Sequence, residues 1–174
     1  YSIWVKREHL TSGGTYLGLS QSTTNTIAGA PDTNPYFISG QDLPAIDKWY
    51  LAVGLLHGSG YAGADTGLSG IYDPDTGLKV VSGVEFKIIP GSTTIQQRAY
   101  YVYADNIGDQ QWMCRPRIDV VDGTEPDLES LLGSEGRIDG CIATISGQSQ
   151  RINPDIAQHT IGNVTFKLLD VATE

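Results

Sequence analysis

Residues 48–57 carry apolar side chains on both faces of the β-strand that they predict. Successive side chains of a strand point to opposite sides. One side therefore presents Trp49, Leu51, Val53 and Leu55, and the other presents Tyr50, Ala52, Gly54 and Leu56. A strand with one face in water would carry polar residues at every second position. We therefore expect a central strand that other layers cover on both sides.

Short strand-like segments separated by turn residues account for most of the remaining chain. Glycine contributes 21 of the 174 residues and charged residues only 18%, which favours many turns and few long helices. Residues 11–14 are predicted to join the strands at residues 2–7 and 15–20 as a hairpin. Residues 21–47 are predicted to form a long ordered loop. The further strands are predicted at residues 2–7, 15–20, about 79–89, 97–104, 111–121, 141–146 and 161–169.

A single helix is predicted at residues 126–132, with Pro126 near its first turn and Gly133 at its end. Short strands with turn signals between them are typical of a sandwich or a barrel. The predicted fold class is therefore all-β, an antiparallel β-sandwich of jelly-roll type with one short helix.

The composition changes near Gly133, which suggests two regions. Residues 1–133 are predicted to form the sandwich domain. Residues 134–174 space single isoleucines among Gly, Ser, Gln and Asn, so they form either edge strands of the same sandwich or the start of a stalk that packs against symmetry-related copies. Because a strand pattern starts at the first residues, we also expect that the chain is excised from a longer polypeptide or lacks a first strand.

Charge and motifs narrow the classes of function. The formal net charge of -9 disfavours nucleic acid as a partner, and the absence of an apolar stretch of spanning length disfavours membrane insertion. The histidines His9, His57 and His159 fall in no triad or metal motif, so we do not expect an enzyme. Cys114 and Cys141 are interpreted as two buried thiols or as a disulfide.

The glycine-rich residues 57–80 are interpreted as a long connection that leaves the central strand. They contain no phosphate-binding glycine motif. Their carboxylates Asp65, Asp73 and Asp75 are candidate ligands for Ca²⁺, the one cofactor that the sequence suggests. The alternative is turn chemistry, in which Asp side chains accept hydrogen bonds from nearby backbone amides.

Aromatic and arginine side chains cluster on the strands predicted at residues 97–104 and 111–121. Aromatic rings pack on the C–H faces of sugars, and guanidinium groups donate to hydroxyls and carboxylates. The two strands are interpreted as neighbours that form a glycan groove, although such residues also line the edge of any sandwich core. The candidate ligand-binding residues are Arg98, Tyr100, Trp112, Arg115, Arg117, Tyr61, Tyr72 and Tyr36.

A series of motifs resembles a domain of bacteriophage tail fibres and related surface proteins. That domain is similar to the carbohydrate-binding jelly rolls attached to polysaccharide-degrading enzymes. The resemblance covers residues 1–133 and implies an antiparallel sandwich, no catalysis, and recognition of a cell-surface or matrix polysaccharide. The motifs are, in order, YSIWVKR, GTYLGLS, NPYF, DKWYLAVGLLHGSG, GIYDPDTG, QRAYYVYAD and RPRIDVVDGTEPDLESLL.

Three functions follow from these patterns. The first is a glycan- or receptor-binding domain of a virion fibre, expected to be a homotrimer. The second is a carbohydrate-binding module of an extracellular polysaccharide-degrading enzyme, expected to be monomeric. The third is a structural spacer of a fibre. All three place the protein on a virion or outside the cell.

Overall fold

The computed structural model describes residues 1–9, 12–19, 24–106 and 108–133, together with the backbone of residues 141–146 and 165–168. Helix α1 (Leu128–Leu132) is the only helix in these residues. The strands are, in chain order, β1 (Ser2–Arg7), β2 (Gly14–Leu19), β3 (Thr24–Thr26), β4 (Pro31–Asp32), β5 (Tyr36–Gln41), β6 (Tyr50–Val53), β7 (Leu56–His57), β8 (Gly70–Tyr72), β9 (Lys79–Ser82), β10 (Phe86–Ile88), β11 (Gln97–Val102), β12 (Gln110–Arg117), β13 (Cys141–Ser146) and β14 (Thr165–Leu168).

The strands form three sheets around one main core. The large sheet has the order β14-β13-β12-β1-β6-β8-β9, and the two smaller sheets have the orders β11-β2-β5 and β4-β3-β10-β7. Neighbouring strands are antiparallel except β7 and β10. Val5, Tyr50 and Ile71 of the large sheet share a buried cluster with Leu17 and Phe86 of the smaller sheets. This arrangement confirms the predicted all-β sandwich.

Strand β6 lies inside the large sheet and is covered on both faces, as predicted, but the strand predicted at residues 48–57 ends at Val53, and Leu56–His57 form β7 in a small sheet. Tyr50 and Ala52 belong to the main core. Leu51 and Val53 belong to a second buried cluster on the opposite side of the sheet, which also contains Cys114. Three leucines of α1, Leu128, Leu131 and Leu132, pack against this second cluster.

Helix α1 begins later than predicted because Asp127 caps it. The Asp127 carboxylate accepts a hydrogen bond of 2.7 Å from the Ser130 backbone N–H, which is the usual role of an N-cap side chain. Gly133 ends the helix and donates its backbone N–H to the Glu129 carbonyl at 2.8 Å. The structure therefore confirms the predicted helix and its end at Gly133, but Pro126 lies before the first turn.

The predicted hairpin between the first two strands is wrong. β1 pairs with β6 and β12 in the large sheet, and β2 pairs with β5 and β11 in a small sheet. The connection between them crosses from one layer to the other. Arg7, whose side chain is fully buried, stabilises this crossing by donating to the carbonyls of Ser12 and Gly13 at 2.6 and 3.3 Å. Local turn residues do not distinguish such an arch from a hairpin.

Two segments predicted as connections contain strands. Residues 21–47 include β3, β4 and β5, and Phe37 and Ile38 of β5 are buried in the main core. Residues 57–80 include β8, which pairs with β6. These strands were missed because they lie among the Gly, Ser, Thr and Asn residues that are typical of turns.

The large sheet continues beyond residue 133. β13 pairs with β12 and β14 pairs with β13, both antiparallel. The other residues of the region predicted as edge strands or stalk, and the side chain of Cys141, lie outside the described residues. In the part of the chain that the structure describes, no helix is long and apolar enough to cross a lipid bilayer.

Candidate functional site

The strands that carry most of the predicted ligand-binding residues, β11 and β12, lie in different sheets. They face each other across the sandwich, where Gln111 of β12 accepts a hydrogen bond of 2.5 Å from Thr15 and donates to the Tyr100 carbonyl at 3.5 Å. The predicted groove on neighbouring strands is therefore corrected. Arg98 and Tyr100 belong to one outer surface of the molecule, and Trp112 belongs to the other.

A row of tyrosine rings lies on the outer face of the sheet β11-β2-β5. The centroids of Tyr16 and Tyr36 are 5.0 Å apart, those of Tyr16 and Tyr103 are 6.0 Å apart, and those of Tyr36 and Tyr100 are 6.2 Å apart. Each pair meets edge to face, the arrangement that the ring quadrupole favours. We call these four rings, together with the neighbouring Arg98, the tyrosine surface.

Gly18 allows Tyr36 to lie across the middle strand of this sheet. In the strand register, Gly18 is opposite Arg98 on one side and Tyr36 on the other. A Cβ atom at Gly18 would lie 2.3 Å from the Pro35 carbonyl oxygen and 2.7 Å from Cδ1 of Tyr36. Both distances are too short for a real contact, so a side chain here would push β5 and its tyrosine away.

Arg98 packs beneath the tyrosine rings. The carbon at the centre of its guanidinium group is 4.5 Å from the Tyr36 ring centroid and 5.7 Å from that of Tyr100. Its Nη2 donates to Oδ1 of Asn34 at 2.7 Å. The residue is only 9% exposed, so this cation–π contact is largely removed from water.

Tyr103 is the most open member of the tyrosine surface. It is 79% exposed, and its φ angle of 64° lies in the left-handed region. A non-glycine residue in this region costs about 1–2 kcal/mol, and such strain is concentrated at functional sites. The turn of the backbone brings the Tyr103 ring next to Tyr16, whereas simple alternation along β11 would place it on the same side as the buried Tyr101.

Sequence reasoning identified Tyr36, Tyr100 and Arg98 but missed Tyr16 and Tyr103 as members of this site. Tyr16 was missed because its strand was assigned to a hairpin with β1. Tyr103 was missed because no sequence signal marks a positive φ angle at a tyrosine. The pairing of Tyr16 with Tyr100 across two strands would have identified the first of them.

Trp112 belongs to a separate cluster on the large sheet. Its indole Nε1 donates to the Glu8 carboxylate at 2.7 Å. The Lys6 ammonium lies 5.3 Å from the Trp112 ring centroid and 5.6 Å from that of Trp49. The polar and cationic partners of this tryptophan are therefore supplied by the protein itself.

The two other predicted arginines are not part of the tyrosine surface. Arg117 donates from Nη2 and Nε to the two carboxylate oxygens of Asp119 at 2.8 and 3.3 Å. Arg115 has a φ angle of 51° and lies where the register of β1 and β12 shifts between Ser2 and Trp4. Such a bulge bends the strand and redirects its side chains.

The tyrosines predicted in residues 57–80 pack elsewhere: Tyr61 packs within its own segment, and Tyr72 belongs to the buried cluster that contains Leu51 and Val53. Tyr61 stacks on His57 with 3.7 Å between ring centroids and donates its hydroxyl to the Ala64 carbonyl at 2.7 Å. Tyr72 is buried and donates to the Leu68 carbonyl at 2.6 Å. Neither ring contributes to the tyrosine surface.

A buried glutamate anchors this segment. The side chain of Glu85 has no exposed surface, and its carboxylate accepts hydrogen bonds from the Thr66 hydroxyl, the Thr66 and Leu68 backbone N–H groups and, at 2.8 Å, His57. Burial by itself raises the pKa of Glu85. The hydrogen bonds to the charged carboxylate outweigh this effect and lower the pKa to about 2. The loop is thus held by a carboxylate that is charged at neutral pH.

The three predicted calcium ligands do not converge. Asp65 accepts from the backbone N–H groups of Gly67 and Glu85 at 2.7 and 3.2 Å. Asp73 and Asp75 both bind the Lys48 ammonium, at 2.8 and 2.6 Å, and this hydrogen bond lowers the pKa of Asp73. Within the described residues, no group of three or more His, Cys, Asp or Glu side chains is placed to hold a metal ion.

The two surfaces differ in what they offer a ligand. The tyrosine surface combines an exposed ring, two partly exposed rings and a cation, whereas the Trp112 cluster has its polar groups already paired. Comparison with protein-family models, with curated protein sequences and with solved structures finds no match to this chain.

Proposed function

We propose that this chain is a non-catalytic glycan-binding domain of a surface fibre protein, such as the tail fibre of a bacteriophage, and that its tyrosine surface binds a cell-surface or matrix polysaccharide. The observation that carries this proposal is the exposed ring of Tyr103 beside the partly exposed rings of Tyr16 and Tyr36. Aromatic faces accept the C–H faces of sugars, and tyrosine hydroxyls hydrogen-bond to sugar hydroxyls.

The rings are held in place before any ligand binds. Tyr16, Tyr36 and Tyr100 project from three neighbouring strands and contact one another edge to face. Tyrosine has few rotatable bonds, so a fixed row of rings loses little conformational entropy on binding. This feature suits recognition of an extended saccharide by a rigid surface.

The attribution to a fibre rests on the resemblance of residues 1–133 to tail-fibre domains. A carbohydrate-binding module of an extracellular polysaccharide-degrading enzyme would use the same surface, so the two candidates share the chemistry of binding. They differ in assembly, because a fibre domain is expected to be a homotrimer and an enzyme appendage a monomer. Light scattering of the purified full chain distinguishes them. A structural spacer has no need of an exposed aromatic ring.

Substitution of the exposed ring tests the proposal. Saccharides that bind the wild-type chain on a glycan array are titrated by calorimetry into Tyr103→Ala and into the control Tyr61→Ala. Because a buried aromatic contact contributes about 2 kcal/mol at the centre of an interface, we expect Tyr103→Ala to weaken binding at least tenfold. Tyr61→Ala removes a tyrosine outside the tyrosine surface and is expected to bind like the wild type.

Two outcomes would contradict the proposal. If Tyr103→Ala binds normally and Trp112→Ala does not, the ligand occupies the large sheet instead. If no saccharide on the array binds the wild-type chain, glycan recognition is refuted and the spacer function is favoured.

A further inference from the structure

Arg98 is a buried cation whose charge no carboxylate neutralises within the described residues. The residue is 9% exposed, and the described part of the chain gives its guanidinium group no ion pair. Among the described residues, its one hydrogen-bond acceptor is the neutral amide of Asn34. Buried charges in proteins are generally paired, because an unpaired one is costly to desolvate.

The hydrogen-bonding capacity of this guanidinium group is also incomplete. Its Nε atom is buried and finds no hydrogen-bond partner in the part of the chain that the structure describes. Arginine carries five N–H donors arranged in a plane that matches a carboxylate. The Nε atom of the buried Arg7 is likewise without a partner among the described residues, but the other nitrogens of Arg7 donate to the Asp42 carboxylate, two backbone carbonyls and Tyr101. Arg98 therefore differs from an ordinary structural arginine in lacking an anion.

We infer that the tyrosine surface selects saccharides that bear a carboxylate, and that Arg98 is the residue that recognises this group. This inference rests on the proposed function, since it assumes that the tyrosine surface binds a glycan. The tyrosine rings hold the sugar, and the guanidinium group donates hydrogen bonds to the carboxylate beside it. A charge-assisted pair with planar geometry supplies the selectivity that ring stacking lacks.

Asn34 controls access to the guanidinium group. It is exposed and precedes Tyr36 by two residues, so its side chain lies at the border of the tyrosine surface. A ligand carboxylate that displaces the Asn34 amide replaces a neutral acceptor with a charged one. The hydrogen bond that is lost is weaker than the one that is gained.

The first test compares ligands on the wild-type chain and needs no variant. The array carries uronic-acid and sialic-acid saccharides, the methyl esters of the same saccharides, their neutral counterparts and sulfated chains. We expect the carboxylates to bind at least tenfold more tightly than their methyl esters, because the ester removes the charge and keeps the size.

The second test supplies the missing carboxylate from the protein. Asn34→Asp places an anion beside Arg98 and is expected to reduce binding of the carboxylated saccharide at least tenfold. The control Thr76→Asp adds the same charge at an exposed turn of the large sheet and is expected to leave affinity unchanged. Arg98→Lys keeps the charge without the planar group and is expected to retain only a weakened preference for the free acid over its ester.

The outcomes separate the two proposals. If neutral or sulfated saccharides bind as tightly as carboxylates, or if Asn34→Asp binds the acid normally, the role of Arg98 is refuted while glycan binding stands. If no saccharide binds, both proposals fall together.

Discussion

Replacement of Glu85 by glutamine tests how the segment of residues 57–80 is held. Glutamine has the same size as glutamate but carries one amide nitrogen in place of a carboxylate oxygen. One oxygen of Glu85 accepts from the Thr66 hydroxyl and the Leu68 N–H, and the other accepts from the Thr66 N–H and contacts His57. Whichever oxygen the amide nitrogen replaces, the groups that donate to that oxygen in the wild type face an NH₂ group in the variant.

The pKa of Glu85 gives the size of the expected effect. Its folded value of about 2 lies below the ordinary value of 4.5, and this difference corresponds to about 3 kcal/mol in favour of the charged form in the folded state. Glu85→Gln removes the charge, so we expect the free energy of unfolding to fall by about 3 kcal/mol. With a slope of about 2 kcal/mol per molar urea, the midpoint moves down by about 1.5 M.

The same pKa fixes the direction of the pH dependence. Because the folded value is depressed, the contribution of Glu85 is fully present above about pH 4.5 and is lost as the pH falls from 4.5 towards 2. Urea denaturation of the wild type and of Glu85→Gln across this range should therefore give curves that converge at the acid end.

The exposed residue Glu129 provides a control variant, and hydrogen exchange of backbone amides provides a second measurement. Glu129→Gln changes an exposed residue of α1 and should alter the free energy of unfolding by less than about 0.5 kcal/mol. Hydrogen exchange should accelerate at the Thr66 and Leu68 amides in Glu85→Gln. A midpoint that equals that of the wild type, or a difference between the two proteins that does not depend on pH, would show that the charge of Glu85 does not hold this segment.

Three further predictions concern the tyrosine surface and the acidic loop. Gly18→Ala is expected to lower the free energy of unfolding by about 1–3 kcal/mol and to weaken glycan binding, because its Cβ displaces Tyr36; a variant with wild-type stability in urea would contradict the close contact. Tyr103→Asn is expected to lose binding without losing thermal stability, because asparagine adopts positive φ more readily than tyrosine; a large fall in melting temperature would show that the ring supports the fold. Adding a chelator is expected to leave the melting temperature unchanged, because the Lys48 ammonium already occupies the position between Asp73 and Asp75; a lower melting temperature would establish a structural metal.

The sequence predicts individual strands well where burial is local and periodic. The alternation of Leu51 and Val53 with Tyr50 and Ala52 indicates a strand covered on both faces, and the structure places these pairs in two separate clusters. Gly133 likewise marks the end of the helix, because glycine is common at helix C-termini. These features depend on residues that are close together in the chain.

The pairing of strands could not be predicted in the same way. β1 and β2 lie in different sheets because of long-range contacts, among them the bonds of the buried Arg7 to Asp42 and Tyr101. β11 and β12 both carry aromatic and arginine side chains but lie in different sheets and face each other across the core. The candidate site depends on this pairing, so Arg98 and Tyr100 were identified while their partner Tyr16 was not.

The most direct test of the account follows the backbone amide resonances of the wild-type chain during titration with a saccharide that binds on the array. We predict that the largest shifts fall in β2, β5 and β11 and at Tyr103, on the outer face of the small sheet. Shifts confined to Lys6, Trp49 and Trp112 would place the ligand on the opposite surface and would contradict the account.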